Sequence, residues 1–349
     1  MNEVDSTTKV EEPYKPVGMA NLGNTCFLNS CLQILYQCPQ MTQSLEKTSL
    51  NETKVEMLIL KNWNEIYKGT TENKKKITMF PRGLLNAVRQ VAKQKKMSQF
   101  TGIDQNDFGE FLLFFIECLH QCICKPRNIM IDGNPKTKID KLAVKCYEML
   151  QKQYGKEYSE FNDIFYGVSV SCLHPLSDNS IVHSIVPESF FMIDLPILEQ
   201  NSTIYECLDK YVESEIMEGE NAWYNEKTKR KENIQKTLSF FRLPKLLFIC
   251  LKRFSFDGVR KNNSLVQFPD ILEMKKYYCG YNSVKQRFQL KAVCYHFGSM
   301  NYGHYTACVC EYRTKKWYYC NDETVQEVEK DLVTKTMKNV YCLVYEQIE

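Results

Sequence analysis

The sequence predicts an α+β protein, helical in its first part and sheet-forming afterwards. From Val17 to about Glu160 the apolar residues recur mainly at helical spacing, as in Phe108, Phe111, Leu112, Phe115, Ile116 and Leu119. From about Phe165 onward the runs shorten, alternate, and fill with β-branched and aromatic residues, as in Leu246 to Leu251 and Phe288, Leu290, Ala292, Cys294, His296. Helices first and strands after argue for two halves packed against each other rather than for alternating βα units. A chain of 349 residues, 44% hydrophobic and 25% charged, has ample material for that core and is compatible with one large domain.

Residues 1–15 are polar and charged and end in the punctuation of Pro13 and Pro16, which predicts a disordered leader before a domain spanning 16–349. The leader lacks the apolar run of a secretory signal, and no stretch of about 18 apolar residues suits a membrane span. The expected setting is therefore intracellular, cytoplasmic or nuclear. There the 16 cysteines are buried small hydrophobes, reactive thiols or metal ligands rather than disulfides. With 45 Lys and Arg against 42 Asp and Glu, the net charge of +3 gives no general attraction to nucleic acid. The basic runs at Lys74 to Lys76 and Lys227 to Lys231 lack interleaved aromatics and read as solvated loops. Between Asn201 and Thr237 alternation weakens and charge accumulates, which predicts a protruding element with little buried face.

Among the sixteen cysteines, Cys26 stands in a distinctive context. The segment from Gly18 to Ser30 sets small and polar residues ahead of the helical pattern Phe27, Leu28, Cys31, Leu32 and Leu35, so Cys26 opens a helix. Unpaired N–H groups and the positive dipole end favour a thiolate there. Gly23 permits the tight entry, and Asn24 or Thr25 can cap. Asn21, five residues ahead, is placed to donate its amide to an oxyanion.

A thiol nucleophile needs a base, and the candidates are His120, His174, His183, His296 and His304. His120 sits on the apolar helix, and His174 and His183 in an irregular region, so structural roles suit them. His304 follows a loop and opens a strand pattern, where a side chain can face a cleft; His296, the rival, lies inside a regular alternation. The strand from His304 turns at Arg313 to Lys315 and returns from Trp317, bringing Asn321 and Asp322 back to the histidine. Either can accept the imidazole N–H and fix its tautomer, or the pair can simply end a strand.

These residues resemble the ubiquitin-specific proteases, papain-like deubiquitinating cysteine peptidases. The cysteine box is Asn21-Leu-Gly-Asn-Thr-Cys26-Phe-Leu-Asn29-Ser30, and the histidine box is Gly303-His304-Tyr305 with His296 before it and Trp317, Asn321 and Asp322 after. Between them lie a glutamine box, Gln105 to Leu112, and a strand motif, Leu251-Lys-Arg-Phe254. The resemblance implies a papain-like fold with a helical thumb over about 17–160, β fingers within about 161–241 and a sheet palm in the remainder. It implies hydrolysis after the C-terminal glycine of ubiquitin through a Cys26 thioester, with His304 as base, Asn321 or its neighbour Asp322 as third member, and Asn21 as oxyanion donor. Gln105, Asp107 and Glu110 are the implied substrate-binding residues. For the acidic pair, holding arginines of the ubiquitin tail competes with a capping box, Asp107 with Glu110 three residues on.

Ubiquitin and ubiquitinated proteins are the implied partners, with an activating partner protein left open, and neither nucleic acid nor membrane expected. No cofactor is implied. Many relatives close a finger zinc site through two Cys-x-x-Cys pairs. Here the first pair is reduced to Cys172 and His174, and Trp223 to Lys231 holds neither cysteine nor histidine. The group Cys118, His120, Cys122 and Cys124 lacks a second ligand pair, so no metal is expected, and sheet pairing and apolar packing alone should hold the fingers. The competing readings are a catalytically silent ubiquitin-binding module, a protease for a ubiquitin-like modifier, and an acyltransferase using the same Cys and His logic.

Overall fold

The computed structural model describes residues 16–46, 53–72, 78–178, 181–255, 260–281, 286–299, 302–335 and 337–348. The expected leader and the Lys74 to Lys76 run lie outside the described residues. The chain opens with helices α1 (Cys26–Leu35), α2 (Pro39–Glu46), α3 (Met57–Glu72), α4 (Arg82–Gln94), α5 (Phe108–Ile123), α6 (Lys138–Tyr154) and α7 (Phe161–Phe165). Strands β1 (Gly167–Pro175), β2 (Ser184–Phe190), β3 (Met192–Pro196) and β4 (Ser202–Thr203) lead to α8 (Ile204–Tyr211). Then come β5 (Glu215–Met217), β6 (Trp223–Asn225), β7 (Arg230–Glu232), β8 (Ile234–Arg242), β9 (Leu246–Lys252), β10 (Val266–Gln267) and β11 (Ile271–Glu273). The chain closes with β12 (Arg287–Gly298), β13 (Gly303–Cys310), β14 (Trp317–Asn321), β15 (Thr324–Val328), α9 (Lys330–Lys335) and β16 (Val340–Ile348).

The stripe that predicted α5 is buried against an aromatic cluster. Phe27 of α1 meets Phe111 edge-on at 4.9 Å, and Trp63 of α3 lies 5.7 Å from Phe115 and 4.3 Å from Tyr36. Each such side chain taken from water stabilises the fold by about 1.5–3 kcal/mol. All ten residues of α1 are buried, polar Asn29, Ser30 and Gln33 included, because the helix is wedged between α5 and β13.

An eight-stranded sheet runs β15-β14-β13-β12-β16-β9-β3, with β11 alongside β12. It is a middle layer. Phe248, Cys250, Ala292, Cys294, Cys342 and Val344 pack towards the helices, and Leu247, Ile249, Val293, Tyr295, Leu343 and Tyr345 form a second core behind. Both faces being covered, the alternation seen in β12 gives way to continuous burial from Ala292 to His296.

A smaller sheet, β2-β1-β8-β5, packs β2 against α6, and the hairpin β6-β7 is inserted between β5 and β8. The stretch from Asn201 to Thr237 departs from the expectation of a weakly buried protrusion. It begins with α8, closed by a Thr203–Glu206 capping box and burying Ile204, Cys207 and Leu208 on one face. Only beyond Tyr211 does it become largely exposed.

Candidate active site

Cys26 is the first residue of α1, as its context predicted. The chain reaches it through two left-handed residues, Gly23 at φ 96° and Asn24 at φ 53°. The expected side-chain cap is absent: Thr25 holds the N-cap position without capping, its hydroxyl accepting instead from the Leu22 N–H at 2.9 Å. Asn24 is drawn away, donating its amide to the Ile103 carbonyl at 3.0 Å. The helix N-terminus therefore keeps its unpaired N–H groups for an anion.

Asn21 braces this turn. Its Oδ1 accepts from the N–H groups of Gly23 and Thr25, each at 3.1 Å, and its Nδ2 donates to Asp322 Oδ2 at 2.8 Å. Its donor thus points along the line joining the cysteine turn to the end of β14.

His304, second residue of β13, arrives beside Cys26 because α1 packs on that strand. Its Nε2 lies 2.7 Å from Asn321 Oδ1 and 3.9 Å from Asp322 Oδ2, which leaves Nδ1 for the sulfur. The hydrogen bond with Cys26 pushes the imidazole up to about 9 against the cost of partial burial, with Asn321 and the Asp322 charge adding to the rise. Asp322, at φ 46°, is held from three sides: Asn21 on Oδ2, Asn29 Nδ2 on Oδ1 at 2.8 Å, and the Met19 N–H on its carbonyl at 2.8 Å. Sequence reasoning missed this anchoring role of Asn29, although the residue lies inside the cysteine box.

The rival histidine is placed elsewhere. His296 is buried against Phe254, Tyr305 and Tyr341, with Lys261 Nζ 3.0 Å from its Nδ1; burial and that lysine bring it down to about 4. His120 bonds Ser159, His174 meets the Ile181 carbonyl and Thr237, and His183 pairs with Glu232, so none of the three reaches Cys26.

The three expected substrate contacts separate into two kinds. Gln105 clamps the peptide just ahead of the histidine, its Nε2 donating to the Gly303 carbonyl at 2.7 Å and its Oε1 accepting from the Gly303 N–H at 2.9 Å. Asp107 is also turned inward: Oδ1 caps α5 by accepting from the Glu110 N–H at 3.0 Å, and Oδ2 accepts from the hydroxyls of Tyr305 and Tyr341. Glu110 stays exposed, its carboxyl raised by partial burial and by Asp107. It does not reach back to Asp107, so the cap is one-sided.

Where sheet pairing and apolar packing alone were expected to hold the β region before Phe241, polar contacts at the β6-β7 hairpin contribute too. Glu232 gathers Asn225 at 3.0 Å, Thr228 at 2.6 Å and His183 at 3.3 Å, and the His183 ring stacks on Trp223 with centroids 5.8 Å apart.

Comparison with known proteins bears on the family and the fold. The family model for ubiquitin carboxyl-terminal hydrolase matches residues 17–345. The ubiquitin carboxyl-terminal hydrolase Usp2 of Drosophila melanogaster is 29% identical over 98% of this chain and 36% of its own length. Ubiquitin carboxyl-terminal hydrolase 4 of Arabidopsis thaliana is 28% identical over 90% of this chain and 86% of its own. The chain thus spans little more than a third of the Drosophila relative and most of the plant one. Among solved structures, the SAGA Ubp8/Sgf11/Sus1/Sgf73 module bound to ubiquitin aldehyde superposes at a TM-score of 0.72, with 19% identity, over 97% of this chain and 71% of that one. At that identity the likeness establishes the α+β fold. With a family model spanning nearly its whole length, the chain belongs to the ubiquitin carboxyl-terminal hydrolase family.

Proposed function

We propose that the chain is a deubiquitinating thiol hydrolase that cleaves the isopeptide or peptide bond after the C-terminal glycine of ubiquitin. The observation that carries the reading is the packing of α1, which opens with Cys26, on β13, which carries His304, with Asn321 Oδ1 2.7 Å behind the imidazole. Cys26 attacks the carbonyl, and the imidazolium proton passes to the leaving amine as the thioester forms. His304 then takes a proton from water, which hydrolyses the thioester and regenerates the thiol. Asn321 accepts the Nε2–H and keeps Nδ1 towards the sulfur. The oxyanion meets the N-terminal N–H groups of α1 and the second amide hydrogen of Asn21, the first being held by Asp322.

In this reading α1 to α6 act as thumb, the β2-β1-β8-β5 sheet with its hairpin as fingers, and the eight-stranded sheet as palm. Ubiquitin rests on the fingers and its tail enters between thumb and palm. Gln105 and Asp107 position the palm from the thumb side, and Glu110 is the acidic group left to meet the tail. Ubiquitinated proteins are the substrates. An activating partner is a further expectation, supported by the assembled state of the Ubp8 module. Among the described residues no helix is long and apolar enough to cross a membrane. A reducing compartment, cytoplasm or nucleus, suits an enzyme that depends on a thiol.

The test is a ubiquitin probe with an electrophilic C-terminus, run beside probes built on related modifiers. Labelling of Cys26 by the ubiquitin probe alone is expected, and loss of labelling and of amide turnover in Cys26→Ala with ubiquitin binding retained. An adduct on another cysteine would refute the assignment of the nucleophile; labelling by a related modifier in preference would change the substrate.

A further inference from the structure

At the far end of α5 the fold brings together a nitrogen, a sulfur and a carboxylate. His120 lies in the last turn of the helix and Cys124 is its C-cap, four residues on, so the two share one side of the helix end. Glu157 comes from the turn after α6. A two-bond bridge draws the segments together, Lys125 N–H to the Tyr158 carbonyl and Tyr158 N–H to the Lys125 carbonyl, both 2.9 Å. One ligand atom from each of His120, Cys124 and Glu157 lies within 4.8 Å of the others. The sequence offers this cysteine-rich stretch no second ligand pair; the third group is instead Glu157, which follows Cys124 by 33 positions and belongs to no Cys-x-x-Cys pattern.

We propose that His120, Cys124 and Glu157 form a binding site for a divalent transition-metal cation of the zinc class. The mixed nitrogen, thiolate and carboxylate set favours a borderline cation over Mg²⁺ or Ca²⁺, and its two negative charges match a dication. Metal–ligand distances of about 2.0–2.3 Å place tetrahedral donors about 3.3–3.8 Å apart, so closure asks for shifts of about 1 Å. Glu157, on a partly exposed turn, can supply them by side-chain rotation.

The outer shell is already in place. His120 Nδ1 lies 2.7 Å from Ser159 Oγ, both residues buried, which leaves Nε2 to ligate. Ser159 is itself fixed by the Phe161 N–H at 3.2 Å. Gln121 bridges the other two, donating from Nε2 to Glu157 Oε2 and offering Oε1 3.7 Å from Cys124 Sγ. Of the neighbouring charges, Lys54 opposes a cation and Glu117 offsets it. Three protein ligands leave the fourth position to water. A helix of 16 residues spans about 24 Å, so this centre is well removed from Asp107 and the Cys26 chemistry at its other end.

The 349-residue chain, stripped with chelator under reducing conditions, is titrated with Co²⁺ and then Zn²⁺. Tetrahedral visible absorption with a sulfur-to-cobalt charge-transfer band is expected to saturate at one equivalent and be displaced by Zn²⁺, which should also raise Tm. Cys124→Ser should abolish the charge-transfer band, and Glu157→Gln and Ser159→Ala should each weaken binding by about tenfold or more. A second readout needs no variant: Zn²⁺ should protect Cys124 from alkylation, followed cysteine by cysteine with mass spectrometry. A charge-transfer band that survives Cys124→Ser, or Cys124 alkylation indifferent to Zn²⁺, overturns the site.

Discussion

At the scale of single residues, Asn321 and Asp322 adjoin and differ in what they touch. Asn321 accepts from the imidazole, whereas Asp322 is spent on Asn21, Asn29 and Met19. Asn321→Ala should lower kcat on the order of 10²–10⁴-fold with little change in Tm, since it frees the imidazole tautomer without opening the core. Asp322→Ala should show the reverse emphasis, losing about 1–3 kcal/mol in denaturant melts as Asn21 and Asn29 lose their charged acceptor, Asn29 keeping only the Met19 and Ala20 carbonyls at 3.3 Å. Equal kinetic losses without any loss of stability would reverse the two roles.

Titration follows the same local logic. His304 is raised from 6.5 to about 9, so its contribution to stability is complete below pH 6.5 and fades as pH climbs through about 9. His296 is depressed from 6.5 to about 4, so its contribution holds above pH 6.5 and is lost as pH falls towards 4. These two groups together place the stability optimum near pH 6.5, measurable as Tm against pH. With His304 as the proposed acid for the leaving amine, turnover should decline as pH rises through about 9 and the imidazole loses its proton.

Among elements, α5 adds to the hold that α1 has on the large sheet, chiefly through its cap residue Asp107. Asp107→Ala removes a helix cap worth about 1 kcal/mol and strands the hydroxyls of Tyr305 and Tyr341 at about 1–3 kcal/mol each, a loss of several kcal/mol in all. Asp107→Asn, which keeps an acceptor at the cap, should recover part of it in thermal melts. Gln105 acts one residue away from the chemistry. At Gly303 a Cβ would sit 2.0 Å from His296 Nε2, so Gly303→Ala should displace the start of β13 and reduce turnover more than stability.

Much of this was legible beforehand. The α5 stripe, the β12 alternation and the hairpin of β13 and β14 follow from periodicity and turn residues, and they place Cys26, His304 and Asn321 correctly on their elements. What escaped was pairing between residues far apart in the chain. Nothing local tells that Gln105 meets Gly303, or that Glu157 meets Cys124. α8 was hidden because three buried residues in eight do not stand out among charges.

On the scale of the whole molecule, the large sheet is covered on both faces, which makes its central strands intolerant of change. Leu343, buried in β16 on the face away from the helices, should cost about 2–5 kcal/mol as Leu343→Ala. Because β16 pairs with both β12 and β9, that loss belongs to the cooperative unfolding of the sheet, not to fraying at an edge.

Asp322, gripped by Asn21 across 301 positions, has a bearing on synthesis. A growing chain on the ribosome presents Cys26 well before His304, 278 positions further on, and Asn321 after it. Until then the cysteine lacks the imidazole that β13 brings beside it. Any chemistry that needs the two side chains together waits on the order in which the residues are made.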